Sequence, residues 1–459
     1  MKKRKFMALA LSCVMVGSLT ACGGKDTGTN QTTADPAPAS TEKAETPAET
    51  KENTDTQTAA PADAAQAAEI TLWTYPIGSW GDSATVDGLI ANFNAVYPDI
   101  KVTVEYLDYT NGDDQINTAI EGKQAPDLVL EGPERLVANW GARGLMVDLA
   151  DLWTDDAKAV IYDSVQNACK SNDGVFYEYP LCMTAHTMAI NRDLFEAADA
   201  LQYLDEATGT WTTENFQKAV QAVYDSGQAA VGVVYCGGQG GDQGTRALVN
   251  NLYGGTFTNA EHTEYTANSE ENVKALELLK SMDGIDFDAS LVGGDEINMF
   301  CNSTFAMAFC WNVSQEKNNL EKINFEVLPM AFPSEDGRPQ LCGGIWGFGI
   351  FDNGDPAKIQ AAKTFIDFMA NDEKQAIESV KASNYWPVKD LGNIYEGDEL
   401  MTEYAKFVEY MGDYYQVVGG WAEARTAWWN MLQQIGSGTD VKTAVEEFVT
   451  TANTATSAQ

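Results

Sequence analysis

Five tryptophans stand beside glycine or proline or at the ends of predicted strands, where an indole ring can face a ligand. They are Trp80, Trp311, Trp346, Trp386 and Trp421. A neighbouring glycine lets a backbone or a ligand approach the ring face. Sugar rings have apolar C–H faces that stack on aromatic planes, and their hydroxyl groups bond to carboxylates, amides and guanidinium groups. The pattern therefore favours carbohydrate binding, with core packing as the alternative for each ring.

Sequence motifs for covalent catalysis and for phosphate binding are absent. The chain has no GxSxG, no GxxxxGK[ST] and no HExxH. The glycine-rich loop Cys236–Gly244 follows a predicted strand, but Gln243 replaces the third glycine of GxGxxG and no lysine follows. We interpret this loop as a surface loop that contributes Asp242 as a candidate ligand contact. Carboxylates are abundant, so a glycosidase pair remains an alternative.

Composition excludes several classes of protein. The 459 residues carry a formal charge of −38, which argues against nucleic-acid binding and against electrostatic docking on anionic lipid. Two histidines do not suffice for a His-rich metal site, and we expect no metal and no cofactor. A hydrophobic content of 44% excludes wholesale disorder and predicts a globular protein.

The first 22 residues predict a cleaved lipoprotein signal peptide. Lys2 to Lys5 are basic, an apolar run extends from Phe6 to Val16, and the segment ends Leu19-Thr-Ala-Cys22. This end resembles a lipobox, which implies that Cys22 carries the lipid and anchors the protein outside the bacterial cell membrane. Residues 23–68 contain no Val, Ile, Leu, Met or aromatic residue and predict a disordered tether.

Strands and helices alternate along the rest of the chain. Glu69–Tyr75, Ile100–Tyr106 and Asp127–Leu130 have strand patterns, and helical patterns run from Val86 to Tyr97 and from Gln115 to Gly122. This order is typical of a doubly wound α/β sheet.

The pattern recurs further along the chain. Later strands are predicted at 187–191, 230–235, 304–309 and 325–328, and helices at 212–223, 273–282, 356–369, 421–435 and 441–449. Such a length of interleaved α/β structure predicts two lobes.

Cysteine usage predicts mostly free thiols. Six cysteines remain beyond Cys22, there is no CxxC, and three of the six lie in apolar runs, where a buried thiol behaves as a small hydrophobic group. These three are Cys182, Cys310 and Cys342.

Read in order, the motifs resemble the extracellular solute-binding proteins of the ABC-transporter sugar-binding family, the family of maltose-binding protein. The resemblance covers about residues 69 to 452. It rests on the following segments: Ile70-Thr-Leu-Trp73, Phe93–Glu105, Ala125-Pro-Asp-Leu-Val129, Gly144–Leu149, Tyr179-Pro180, Ile190–Phe195, Trp211–Glu214, Phe305–Trp311, Gly343-Gly-Ile-Trp346, Pro356–Met369 and Tyr385-Trp-Pro-Val388.

The resemblance implies a set of ligand contacts. Trp421 and Arg425 match a W-x-x-x-R pair, which shares one helix face. Trp311 and Trp346 match stacking aromatic positions, and Glu134-Arg135 matches an acidic–arginine pair for which Glu131 is the alternative acid. The remaining candidates are Trp80 in the first β–α loop, Thr184 at a carboxylate position, His186, Asp242 and Trp386.

The resemblance also implies the architecture and the function. It predicts two α/β lobes with a hinge, the first built from 69–185 and about 352–398, the second from 186–351 and about 399–452, with 453–459 as a frayed tail. The expected function is a carbohydrate receptor, without catalysis, that delivers its ligand to the permease of an ABC importer. A surface glycoside hydrolase and an adhesive lipoprotein are the alternatives.

Overall fold

The computed structural model describes residues 67–238 and 242–457. These residues belong to one compact unit, Ala62–Gln459. The predicted signal peptide, the predicted lipid site Cys22 and residues 23–66 of the predicted tether lie outside the described residues, and Ala68, the last residue of that predicted tether, already belongs to the first strand. Within the described ranges, no helix has both the length and the apolar composition needed to cross a bilayer.

The strands follow the alternation of apolar residues. Their bounds are β1 (Ala68–Thr74), β2 (Ile100–Tyr106), β3 (Leu128–Glu131), β4 (Tyr179–Ala185), β5 (Thr187–Asn191), β6 (Gly232–Tyr235), β7 (Ile285–Asp288), β8 (Met307–Trp311), β9 (Val327–Met330), β10 (Gly343–Ile350) and β11 (Trp386–Pro387).

Helices connect and cover these strands. Their bounds are α1 (Ser83–Val96), α2 (Gly112–Glu121), α3 (Pro133–Arg135), α4 (Asp155–Val160), α5 (Asp163–Ala168), α6 (Arg192–Ala197), α7 (Thr213–Ser226), α8 (Asp242–Tyr253), α9 (Glu270–Ser281), α10 (Gly293–Cys301), α11 (Val313–Asn319), α12 (Pro356–Asn371), α13 (Gln375–Ser383), α14 (Glu399–Ala405), α15 (Trp421–Gly436) and α16 (Val441–Ser457).

The first lobe is built on a six-stranded sheet in the order β11-β4-β10-β3-β1-β2. Strand β1 pairs in parallel with both β2 and β3, while β10 runs antiparallel between β3 and β4. Helix α1 covers the sheet because Val86, Leu89, Ile90 and Phe93 are buried on one face. The predicted strand–helix–strand–helix–strand start is confirmed.

The second lobe contains two smaller sheets. One has the order β8-β5-β9, and the other pairs β6 with β7 in parallel. Helix α7 begins after Thr212, whose side chain accepts a hydrogen bond from the Asn215 N–H as the sequence predicted. The α/β class with two lobes is therefore confirmed.

Strand β10 differs from the predicted domain assignment, which placed 186–351 in the second lobe. Gly343–Ile350 hydrogen-bonds on both sides to first-lobe strands, with Gly347 opposite Glu131 of β3 and Pro180 of β4. Close packing explains the glycine: a methyl group on Gly347 would lie 2.3 Å from the Tyr179 carbonyl oxygen. Neither β4 nor β10 was predicted as a strand.

The tail predicted to fray from 453 is helical as far as Ser457. Tertiary contacts hold it: Asn453 accepts from the Tyr265 N–H at 2.8 Å and donates to the Tyr265 carbonyl at 3.1 Å. The Thr456 hydroxyl donates to the Gly419 carbonyl at 3.0 Å. These contacts offset the fraying expected of a polar terminus.

All six cysteines between residues 67 and 457 are free thiols. Five of them are buried, and Cys310 is half-buried. The prediction of free thiols agrees with the structure for this part of the chain.

Candidate ligand-binding site

The first half of the site lies at the carboxyl end of β3, where the sheet order changes direction. Arg135 donates from Nε and Nη2 to the two oxygens of Asp113 at 2.6 and 3.1 Å, and from Nη1 to Glu131 Oε1 at 2.6 Å. The Tyr75 hydroxyl donates to Asp113 Oδ1 at 2.5 Å. In open α/β sheets ligands bind outside the carboxyl ends of the strands. The geometry therefore places a charged, buried group of side chains at a favourable position for binding.

The local sequence explains how Glu131, Glu134 and Arg135 come together. Glu131 ends β3, and Gly132-Pro133 then turns the chain into α3, with proline at the first helical position. A methyl group on Gly132 would lie 2.5 Å from Glu134 Oε2 and 2.9 Å from the Ile345 carbonyl oxygen. Glycine is therefore required to bring the acidic side chains against β10.

The pKa values of the two acids that bond to Arg135 are shifted in opposite directions. Burial raises the pKa of Asp113, but the Arg135 guanidinium and its hydrogen bonds outweigh burial and hold that pKa well below its usual range. Burial raises the pKa of Glu131 to about 8 despite the attraction of Arg135. Asp113 is therefore ionised at neutral pH, whereas Glu131 binds a proton more strongly than an exposed carboxylate does.

The second half of the site lies on α8 and α15 of the second lobe. Arg425 donates to Asp242 from Nη2 at 2.7 Å and from Nε at 3.2 Å, and Arg246 also pairs with Asp242. The guanidinium carbon of Arg246 lies 4.7 Å from the centre of the Trp421 ring, a cation–π contact. Gln416 Oε1 accepts from Arg246 at 3.1 Å.

The two halves face each other. The Tyr414 hydroxyl donates to Glu134 Oε2 at 2.6 Å, and Gln416 Nε2 donates to the Gly343 carbonyl of β10 at 3.4 Å. Burial lowers the pKa of Arg425, and the nearby Arg135 lowers it further. Two guanidinium groups from different lobes thus lie within electrostatic reach of each other and of the same carboxyl groups.

An aromatic group borders the site at β4 and β10. Trp346 stacks on Tyr385 with ring centres 4.6 Å apart and planes 14° apart, and His186 meets the Trp346 ring edge-on at 6.5 Å. Burial and the positive charge of Arg246 lower the pKa of His186 to about 4. His186 is therefore neutral at physiological pH. The Thr184 hydroxyl, also buried here, donates to the Ala185 carbonyl at 3.4 Å.

Comparison with known protein families assigns the chain. Residues 77–376 match the family model for bacterial extracellular solute-binding proteins. The chain belongs to this family. Among curated proteins, no significant match exists for this solute-binding protein.

Solved structures share the fold of this solute-binding protein. The ABC substrate-binding protein Lmo0181 from Listeria monocytogenes, in complex with cycloalternan, is 20% identical, with a TM-score of 0.68 over 84% of this chain and 98% of its own. The cyclic α-maltosyl-1,6-maltose-binding protein from Arthrobacter globiformis is 17% identical, with a TM-score of 0.66 over 85% and 100%. The GacH receptor of Streptomyces glaucescens, solved unliganded and with acarbose, is 14% identical, with a TM-score of 0.65 over 83% and 98%.

The structure brings most of the predicted site residues of this solute-binding protein together. The group around the two arginine–carboxylate halves contains Glu131, Glu134, Arg135, Thr184, His186, Asp242, Trp346, Trp421 and Arg425. Both Glu131 and its alternative Glu134 are in the group, so their positions do not choose between them and both stay candidates. Asp242 begins α8, directly after residues 239–241, which are not described.

Three predicted tryptophans lie elsewhere. Trp80 is fully buried in the first lobe, where its indole N–H donates to the Ser379 carbonyl at 3.0 Å. Trp311 is buried in the second lobe and donates to the Tyr404 hydroxyl at 2.7 Å. Trp386 is half-buried on the edge strand β11, opposite Met183. Core groups surround the Trp80 and Trp311 rings, so the structure does not bring them to the candidate site, and their predicted ligand contact stays a prediction.

Sequence reasoning missed several members of the site, namely Asp113, Arg246, Tyr385, Tyr414 and Gln416. A signal existed for Arg246, since it stands four residues after Asp242 and shares a helix face with it. Asp113 and Tyr414 carry no comparable local pattern, because their partners Arg135 and Glu134 are distant in the chain. Among the described residues, no group of three or more His, Cys, Asp or Glu has a metal-binding arrangement.

Proposed function

We propose that this protein is a carbohydrate receptor that delivers its ligand to the permease of an ABC importer. The observation that carries the proposal is the buried network of arginines, carboxylates and aromatic rings between the two lobes. Paired guanidinium and carboxylate groups suit the hydroxyl groups of a sugar, and indole and phenol rings suit its C–H faces. Structurally similar proteins were solved with cycloalternan and with acarbose, which agrees with this class of ligand.

We propose that the protein acts without catalysis. The family consists of solute-binding proteins, and the carboxylates of the site bond to arginine or tyrosine side chains. A mechanism of transport follows from the geometry: the ligand binds between the lobes, each lobe supplies one arginine–carboxylate half, and the closed form is presented to the permease. Energy for transport comes from the importer.

The lipid anchor on Cys22 is part of the same proposal. The lipobox sequence supports it, and a receptor held at the outer face of the membrane stays near its permease. Labelled palmitate that enters the wild type but not Cys22→Ala would support the anchor. Equal labelling of both would contradict it.

Binding without turnover tests the function. We expect the melting temperature of the purified protein to rise with one class of mono- or oligosaccharide, because binding to the folded state raises stability by RT ln(1 + [L]/Kd). Calorimetry should then give one binding site per chain. An assay for reducing ends should detect no release over hours. Release of reducing ends would favour the glycoside hydrolase, and no binding by a broad panel of carbohydrates would refute the receptor.

A further inference from the structure

Glu131 has a carboxyl oxygen that nothing in the described protein satisfies. Its Oε1 accepts from Arg135, but its Oε2 is buried without a hydrogen-bond partner, and the residue is 1% exposed. A buried polar atom without a partner costs free energy, so this atom is a candidate contact for a bound molecule. It lies at the carboxyl end of β3, inside the proposed site.

A second buried carboxyl group without a hydrogen-bond partner lies within electrostatic reach of Glu131. Glu178 is fully buried, and neither of its oxygens has a hydrogen-bond partner. Its carboxyl group packs against Gly347 of β10, since a methyl group there would lie 2.8 Å from Glu178 Oε1. Gly347 is itself paired with Glu131 across the sheet. The Glu178 carboxyl group and the Glu131 backbone therefore both neighbour Gly347, and the two carboxyl groups act on each other electrostatically.

The charges of the site do not balance. Five carboxyl groups face three guanidinium groups, which leaves two negative charges in excess when all are ionised. The acids are Asp113, Glu131, Glu134, Glu178 and Asp242, and the bases are Arg135, Arg246 and Arg425. Three of the five N–H groups of Arg135 donate to Asp113 and Glu131, and its single positive charge cannot neutralise these two acids and Glu134 as well. Buried charge requires a partner of opposite sign.

We propose that the ligand carries a protonated amino group, which binds Glu131 Oε2 with Glu178 behind it. The ligand class is therefore an amino-bearing carbohydrate. This inference rests on the proposed function and narrows it. An ammonium group donates up to three hydrogen bonds, and its positive charge pairs with Glu131 once that carboxyl group is ionised.

Before the ligand binds, protons on the buried carboxyl groups reduce the negative charge of the site. Burial raises the pKa of Glu131 to about 8 and raises that of Glu178 well above its usual range. Binding of an ammonium group then releases the Glu131 proton to solvent. The titratable and charged groups that act on Glu131 are Arg135 and Glu134 of α3, Asp113 of α2, Arg425 of α15, Glu178, and the tyrosines Tyr75, Tyr109 and Tyr385.

Matched sugars test the proposal. Calorimetry is done at about pH 6.5, where such amines are mostly protonated. Glucosamine is compared with glucose and with N-acetylglucosamine, and galactosamine is compared with galactose. The corresponding trimers are compared in the same way. We expect an amino form to bind at least about tenfold tighter than its hydroxyl and acetamido counterparts, as a charge-assisted hydrogen bond predicts. The heat of binding should vary with the ionisation enthalpy of the buffer, because a proton is released.

Two variants separate this proposal from a general effect on the fold. Glu131→Gln should reduce the preference for the amine to less than about threefold and abolish the buffer dependence. The control is Glu296→Gln, which changes another buried acid whose pKa burial raises to about 8 and which lies on α10. It should keep the preference. Thermal melting confirms that both variants are folded.

The outcomes distinguish the inference from the function beneath it. Neutral sugars that bind as tightly as the amines, or a Glu131→Gln protein that keeps the amine preference, would overturn the inference and leave the receptor intact. Binding of neutral sugars alone would do the same. Binding of no carbohydrate of either kind would overturn both.

Discussion

Arg135 connects more charged groups than its position on a three-residue helix suggests. It donates to Asp113 and Glu131, and its guanidinium carbon lies 5.1 Å from the centre of the Tyr75 ring. Because only 4% of it is exposed, its partners are buried with it. The positive charge of this single side chain thus compensates several buried carboxyl groups.

Arg135→Ala should therefore destabilise the protein strongly. Removing one partner of a buried ion pair leaves the other charges uncompensated, at a cost of about 3–5 kcal/mol in the free energy of unfolding. Urea denaturation at neutral pH measures this loss. The control is Lys101→Ala, whose partner Glu69 is exposed, and which should leave stability unchanged within error. Equal stability of the two variants would contradict this account of Arg135.

Trp311→Ala tests whether that ring belongs to the core. The ring contacts Phe300 edge-on at 5.0 Å, and its N–H donates to Tyr404, which in turn donates to Glu316 at 2.6 Å. We expect a loss of about 3–5 kcal/mol in the free energy of unfolding. Trp386→Ala, at a half-buried ring, should lose less. A Trp311→Ala protein of wild-type stability that has lost sugar affinity would support the original prediction of a ligand contact.

The sequence predicted residue types better than residue orientation. Trp346 and Trp421 were selected by type and by spacing and lie in the candidate site, but the same criteria selected Trp80 and Trp311, which lie away from it among core groups. Proximity to glycine does not fix the side of a sheet or helix to which a ring points. Asp113 could not be found, because only the fold brings it to Arg135.

Helix α10 and strand β8 are joined by one carboxylate. Glu296 accepts from the backbone N–H groups of Phe309 and Cys310, both at 2.8 Å. Burial raises the pKa of Glu296 to about 8 although these hydrogen bonds lower it, against a reference value of 4.5. The folded protein thus binds a proton at Glu296 that the unfolded chain has released over this range of pH.

Stability should accordingly fall as pH rises from about 6.5 to 8. The folded state binds more protons than the unfolded state in this window, so each such group lowers the free energy of unfolding by up to about 1.4 kcal/mol per pH unit. His186, with a pKa lowered to about 4, has the opposite effect, but only below about pH 6.5. Urea denaturation of Glu296→Gln should show a smaller slope with pH than the wild type. An identical slope would contradict the assignment.

Element prediction succeeded where periodicity was clear and failed where glycine broke it. The alternation in β1 and β2 and the apolar face of α1 appear at the expected positions. Strand β10 (GGIWGFGI) has no alternation because all eight of its residues are buried. Its glycines, such as Gly347, fit the close approach of β4. Strands β8 and β9 begin two to three residues later than predicted.

Two halves of one site on two lobes imply closure at the scale of the whole molecule. Glu134 belongs to the first lobe, and its partner Tyr414 belongs to the segment that leads into α15. Small-angle scattering should show a smaller radius of gyration with saturating ligand than without it, because closure buries the cleft. The control is a sugar that does not bind, which leaves the melting temperature unchanged and gives no heat of binding. Identical radii with bound ligand would contradict closure.

The position of β10 has a consequence for the order in which the chain folds during synthesis. The strand fills the gap between β3 and β4, yet it ends at residue 350 of 459. Until that residue has left the ribosome, β10 cannot pair, and β3 and β4 have no strand between them to join them in one sheet. Such distant pairing slows folding. The first lobe therefore cannot be completed before most of the chain has been synthesised.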